Sequence, residues 1–175
     1  MDDRIKTDGF VLKKKSLLHK DVLVTFFSAD FGKITAIAKG VKKLTSRRAA
    51  HIQTGNLINI QMQKSHEIWY LRSTELISGF IKVRNKVKSD AVYLYLFTLD
   101  RLLPEEQNEY EIYKLTKKFF IEVSKPDAHV KATLTKILQK TLNILGYGDQ
   151  KHKLPQLLQI VENNIEEKLP YHDIL

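Results

Sequence analysis

Over the first eighty residues the apolar positions recur in short runs rich in Val, Ile, Thr and aromatics, the signature of strands. Five runs stand out: "GFVLKKKSL", "KDVLVTFFSAD", "GKITAIAKG", "NLINIQMQK" and "EIWYLRSTELI". The fourth alternates most clearly, with Ile58, Ile60 and Met62 on one face and Asn59, Gln61 and Gln63 on the other. In the third, Ile34, Ala36 and Ala38 face one way and Lys33, Thr35, Ile37 and Lys39 the other. The breaks at 18–20, 30–32 and 65–66 are hairpin-sized, whereas 40–55 is too long for a hairpin.

Five short strands with one long excursion predict a small barrel, and the five-stranded oligonucleotide-binding (OB) fold is the arrangement that suits them. From Val83 onward the period changes to that of helices. Val130, Leu134, Ile137, Leu138, Thr141, Leu142 and Leu145 share a face, with Asp127 as the expected N-cap and Gly146 as the stop. An earlier helix is expected to open at Ser89, run through "AVYLYLFTLDRLL" and end at Pro104. Its apolar residues nearly encircle it, as a central helix requires. "EYEIYKLTKKFFIEV" and "QLLQIVENNIEEKL" complete four helices. The fold class is therefore α+β, a barrel over residues 1–80 followed by an all-α domain over 81–175.

Composition narrows the chemistry. No apolar run approaches a membrane span, and the acidic start "MDDRIKTDGF" lacks the features of a secretory signal, so a cytoplasmic, nucleoid-associated protein is expected. Zero cysteines remove disulfides, thiolate nucleophiles and cysteine zinc sites together. The histidines never fall at ligand spacing, so neither metal nor other cofactor is expected. No Gly-x-Ser-x-Gly elbow and no phosphate-cradling glycine loop occurs, and "GYG" at 146–148 follows a helix as a C-cap does. The acids Glu105, Glu106, Glu109 and Glu111 suit the positive end of the helix that follows them. Holding Mg²⁺ is the sharper alternative for them. Nothing in the sequence argues for catalysis.

Charge supplies the positive signal. Residues 1–80 carry 14 Lys and Arg against 7 Asp and Glu, while 81–175 carry 15 against 13, so the barrel half is the candidate for a polyanion. From Phe31 through His66 there is no acid at all, and Lys33, Lys39, Lys42, Lys43, Arg47 and Arg48 crowd into eighteen residues. Lys13, Lys14, Lys15 and the turn residue Lys20 extend the same field. A groove that tracks a phosphate backbone needs such a stripe together with aromatic platforms for bases. Phe26, Phe27 and Phe31 are expected to serve mostly the core. Trp69 and Tyr70 are consecutive in a strand, so they face opposite sides and one of them is expected to point outward.

The stretch "GFVLKKKSLLHKDVLVTFFSADFGKITAIAKGVKKLTSRR" also resembles the N-terminal domain of the RecO family of bacterial DNA repair and recombination mediators. The matching features are "VLKKK" at 11–15, Asp21 before "VLVTFF", "FGK" at 31–33, "AIAKG" at 36–40 and "SR" at 46–47. "ELISGF", "LDRLLPE" and "LNILGYG" follow in the family's order. The resemblance implies an OB fold and a helical domain without catalysis. It further implies binding to single- and double-stranded DNA, annealing of complementary strands, and cooperation with RecR in loading RecA onto strands coated by single-strand-binding protein. Many members carry a cysteine-ligated zinc module after the "LGY" position, whereas here the chain runs cysteine-free into its last helix, as expected of a compact form lacking that module. Partner binding is assigned to the nearly neutral helical half, with Lys131, Lys136 and Lys140 beside an apolar groove. On charge and barrel alone, a protein that binds structured RNA and a metal-dependent nuclease remain as alternatives.

Overall fold

The computed structural model describes residues 4–41, 48–80 and 85–170. Five strands, β1 (Arg4–Ser16), β2 (Val22–Ser28), β3 (Gly32–Ala38), β4 (Leu57–Ser65) and β5 (Ile68–Ser78), close into a barrel in the order β1-β2-β3-β5-β4. All neighbours are antiparallel except β3 and β5, which run parallel. Closure depends on the length of β1, whose first half pairs with β4 and whose second half pairs with β2. A five-stranded closed barrel of this order is the OB fold expected from the strand pattern.

The alternation read from sequence governs what the barrel buries. Ile34, Ala36 and Ala38 from β3, Ile58, Ile60 and Met62 from β4, and Val24 and Phe26 from β2 form one core cluster. Tight hairpins join β1 to β2 and β4 to β5. His19 and Lys20 in one, and His66 and Glu67 in the other, all take positive φ, the geometry of two-residue turns whose twist matches the strands. The long excursion contains a helix that the sequence did not announce, α1 (Arg48–His51). It sets Ala49 and Ile52 against the barrel core, and Ile52 is buried. The buried Asn56 side chain fixes its end by donating to the carbonyls of Ala50 and His51 at 3.1 and 2.9 Å.

Four longer helices follow: α2 (Lys86–Leu102), α3 (Tyr110–Ser124), α4 (Val130–Ile144) and α5 (Leu154–Ile165). Among the described residues none is long and apolar enough to cross a membrane. α2 is buried on most of its circumference, through Ala91, Val92, Leu94, Tyr95, Leu96 and Leu99. Tyr95 sits among these with its ring 4.8 Å from that of Phe119 and its hydroxyl 2.9 Å from Thr141 Oγ1. Thr141 gives its own proton to the Ile137 carbonyl, so the tyrosine donates to it. Burial pushes the Tyr95 hydroxyl up to about 12 and keeps it neutral.

Two helix starts differ from expectation. α2 begins at Lys86 rather than Ser89, because the Asn85 side chain accepts the Lys88 N–H at 3.2 Å and caps the first turn. α4 takes His129 as N-cap without a side-chain bond, and Asp127 lies in the preceding turn, where Ala128 N–H donates to the Lys125 carbonyl. The stop at Gly146 is as expected: its φ of +82° lets Tyr147 N–H return to the Leu142 carbonyl at 2.9 Å.

The chain divides into two compact units, Met1–Lys82 with Leu103–Tyr110, and Val83–Leu102 with Glu111–Leu175. The polar segment between α2 and α3 thus groups with the barrel, where a single boundary after residue 80 would have given it to the helices.

Candidate nucleic-acid interface

The strand registers define one row that winds once around the outside of the closed barrel, from the second half of β1 back to its first half. Lys15 is the partner of Leu23, Leu23 of Ile37, Ile37 of Tyr70, Tyr70 of Gln63, and Gln63 of Arg4. Followed from strand to strand around the barrel, the row is about 24 Å long. Both of its ends are cationic, and its middle holds an aromatic ring.

The aromatic is Tyr70, as the alternation requires: Leu71 is buried and Trp69 packs against the core, so Tyr70 faces outward. The Lys39 ammonium lies 4.6 Å from the centre of the Tyr70 ring. Such a pair keeps its charge available while the ring braces it. Two residues beyond Tyr70, Arg72 occupies the extra position of a bulge between β4 and β5 and donates from Nε to Gln63 Oε1 at 3.0 Å. Arg4, Lys6, Gln61, Gln63 and Arg72 line a groove of about 430 Å³ on this side. Sequence reasoning passed over Arg4, Lys6 and Arg72 because they are isolated cations. The signal was there in the two-residue spacings from Arg4 to Lys6 and from Tyr70 to Arg72.

The lysine triplet does not act as one unit. All three are exposed, but Lys13 and Lys15 stand opposite Thr25 and Leu23 on the outer face, whereas Lys14 stands opposite Val24, a core residue. The Lys14 ammonium donates to Gln53 Oε1, and burial lowers its pKa. The register shift between Val11 and Lys13 sets this phase. Lys20 is exposed at the tip of the first hairpin.

Three further expected contacts have partners within the protein. Lys33 is on the outward side of β3 yet buried, with its ammonium 3.5 Å from Glu105 Oε1. Arg48 spends its guanidinium on the carbonyls of Lys39 and Leu71, at 2.9 and 3.3 Å, tying α1 to the turn after β3 and to β5. Trp69 directs its indole N–H to Glu106 Oε1 at 2.8 Å. Glu105 and Glu106 therefore face barrel cations, and of the four acids expected at the next helix only Glu111 lies in its first turn. Lys42, Lys43 and Arg47 lie outside the described residues. Among the described residues no three His, Asp or Glu side chains come together as a metal site.

In the helical unit Lys131, Lys136 and Lys140 are all exposed on α4. Lys131 borders a shallow groove of about 550 Å³ with Val87, Pro126, Ala128, Val130 and Ala132 along it, and Lys136 and Lys140 do not. Lys136 instead lies near Glu122. That carboxyl is held below its ordinary range chiefly by its hydrogen bond from Lys125, with Lys118 and Lys136 adding to the effect.

The fold and face together define an OB barrel with a cationic, aromatic-centred outer surface. Residues 1–80 match the family model "Recombination protein O N terminal", so the barrel is similar to that domain. Beyond it, the chain is 28% identical over 144 residues to the DNA repair protein RecO of Caldanaerobacter subterraneus, a match covering 82% of this chain and 58% of that protein. It is 32% identical over 126 residues to RecO of Syntrophus aciditrophicus, covering 70% and 48%, and 25% identical over 168 residues to RecO of a Thermoanaerobacter species, covering 95% and 65%. The chain spans about half the length of the curated relatives it matches.

Proposed function

We propose that this protein is a non-catalytic, DNA-binding recombination mediator of DNA repair. Single-stranded DNA lies on the outer face of the barrel, its phosphates on Lys13, Lys15, Lys39, Arg72, Arg4 and Lys6, with Tyr70 as a platform for a base. The observation that carries this reading is the cross-strand row from Lys15 through Tyr70 to Arg4, with Lys39 over the ring. Phosphate contacts give affinity without sequence selection, as a protein acting at arbitrary lesions requires. Duplex DNA engages the same cations. By the family resemblance, the protein anneals complementary strands and assists RecR in loading RecA.

Competition at fixed salt among an oligo(dT), a duplex and a folded RNA of equal length tests this function. Single-stranded DNA is expected to displace the others at the lowest concentration and to remain uncut when Mg²⁺ is added. Preference for the folded RNA would instead make the protein a reader of RNA shape and 2′-hydroxyls. Cleavage that requires Mg²⁺ would make it a nuclease.

The groove beside Lys131 suits the acidic, apolar tail of a single-strand-binding protein, since it offers apolar walls with a cation at the rim. Lys131→Glu with Lys136→Glu is expected to weaken binding of such a tail peptide about tenfold while DNA affinity changes less than about twofold, because each reversed charge turns attraction into repulsion. Fluorescence anisotropy with labelled peptide and labelled oligo(dT) separates the two. Loss of DNA binding with the peptide unaffected would reverse the assignment.

A further inference from the structure

Pairing between β3 and β5 is brief, covering only Ala36 with Trp69 and Ile37 with Tyr70. The first half of β3 therefore offers an edge, and the segment 103–110 takes it. Glu106 N–H donates to the Lys33 carbonyl at 2.8 Å, and the Asn108 side chain donates to the Asp30 carbonyl at 2.7 Å. This strap brings two carboxylates to a barrel whose stretch from Phe31 to His66 contains none.

Each carboxylate lands on a cation or a donor. Glu105 approaches Lys33. Glu106 accepts from the Trp69 indole N–H through Oε1 at 2.8 Å and approaches the Lys64 ammonium through Oε2 at 3.5 Å. The Lys64 ammonium in turn lies 5.4 Å from the centre of the Trp69 ring. One oxygen toward a neutral N–H and the other toward an ammonium is the set of partners that the two non-bridging oxygens of a phosphodiester would take. The Glu106 side chain is half exposed, and exposed ion pairs are weak, so a phosphate from solution can exchange with it. Trp69 directly precedes Tyr70 but faces the other side of β5, so the position lies not on the Tyr70 face but at the end of the barrel, next to the turn between β4 and β5.

We infer that Lys64 and the Trp69 indole N–H, flanked by Lys33, form an additional phosphodiester-binding subsite that the Glu105 and Glu106 carboxylates occupy in the free protein. The strap is then an internal competitor of nucleic acid. This inference rests on the reading of the barrel as a DNA-binding surface, and it places one end of the path at the turn between β4 and β5.

Trp69 is the single tryptophan of the chain, so its emission reports on this position directly. Oligo(dT) is titrated into wild type, Glu106→Ala, and Glu75→Ala, which removes the same charge from an exposed position elsewhere on β5. Glu106→Ala is expected to bind about three- to tenfold tighter than wild type at ~50 mM salt, with a salt slope steeper by about 0.7 and stronger quenching of Trp69. Glu75→Ala should stay within about twofold of wild type, and adding Lys64→Ala to Glu106→Ala should return affinity to the wild-type value. Glu106→Gln, which keeps an acceptor for the indole while losing the charge, is expected to lie between and remains informative if Glu106→Ala folds poorly. Equal affinities for Glu106→Ala and Glu75→Ala, with wild-type binding intact and dependent on Lys39 and Arg72, would overturn the subsite alone. Absence of oligo(dT) binding in every form would overturn the DNA-binding reading and the subsite with it.

Discussion

Oligo(dT) is expected to bind several hundredfold more weakly to a variant with Lys13, Lys15, Lys39 and Arg72 all replaced by Ala, measured at ~0.1 M salt. Each phosphate contact on a single strand releases about 0.7 of a counterion, so one contact is worth about a factor of five between 1 M and 0.1 M salt, and four multiply to about six hundred. The loss should be similar on poly(dT) and on mixed sequence, because backbone contacts do not read bases. All four side chains are exposed and none belongs to the core cluster, so circular dichroism should be unchanged. A folded variant that binds within about threefold of wild type would move the DNA elsewhere.

Gly32→Ala is expected to destabilise the barrel unit by about 3 kcal/mol or more. A Cβ at this position would lie 1.7 Å from the Gln107 carbonyl oxygen and 2.5 Å from its carbon, both backbone atoms of the strap that cannot swing aside. The backbone φ of +69° adds the strain of a left-handed conformation, about 1 to 2 kcal/mol for a residue with a Cβ. In a protein of this length the melting temperature should fall by about 6 to 12 °C. With the strap levered off Lys33 and Trp69, the tryptophan emission should also change below the transition. A melt within about 2 °C of wild type would mean that the strap yields at no cost, against the tight docking of Gln107 over Gly32.

Much of the barrel was legible because a half-buried strand writes itself with period two, and Ile58, Ile60 and Met62 or Ile34, Ala36 and Ala38 leave no second choice of face. Four of the helices were legible for the corresponding reason at period 3.6. α1 was not, since four residues are too few to show a period, and its place is fixed by Ile52 entering the core and by the hydrogen bonds of Asn56. The site was legible as a charge field but less so residue by residue. Alternation placed Lys33 on the outer side of its strand, and outward proved different from exposed because the strap covers it. Three consecutive lysines looked equivalent until the register shift near Leu12 set the phase that carries Lys14 away from its neighbours. Glu105 and Glu106 read as a helix-start pair because sequence proximity favours the next helix, whereas the unpaired first half of β3 is a tertiary feature with no local signature.

The central claim, that the outer face of the barrel holds single-stranded DNA through its backbone, is tested most directly by the salt dependence of binding. Oligo(dT) affinity is measured from ~50 to ~400 mM salt for wild type and for the Lys13, Lys15, Lys39 and Arg72 quadruple alanine variant. With six phosphate contacts, from Arg4, Lys6, Lys13, Lys15, Lys39 and Arg72, the wild-type slope of log affinity against log salt should be about −4, and the variant's about −1. Equal slopes for the two proteins, both folded, would contradict the account.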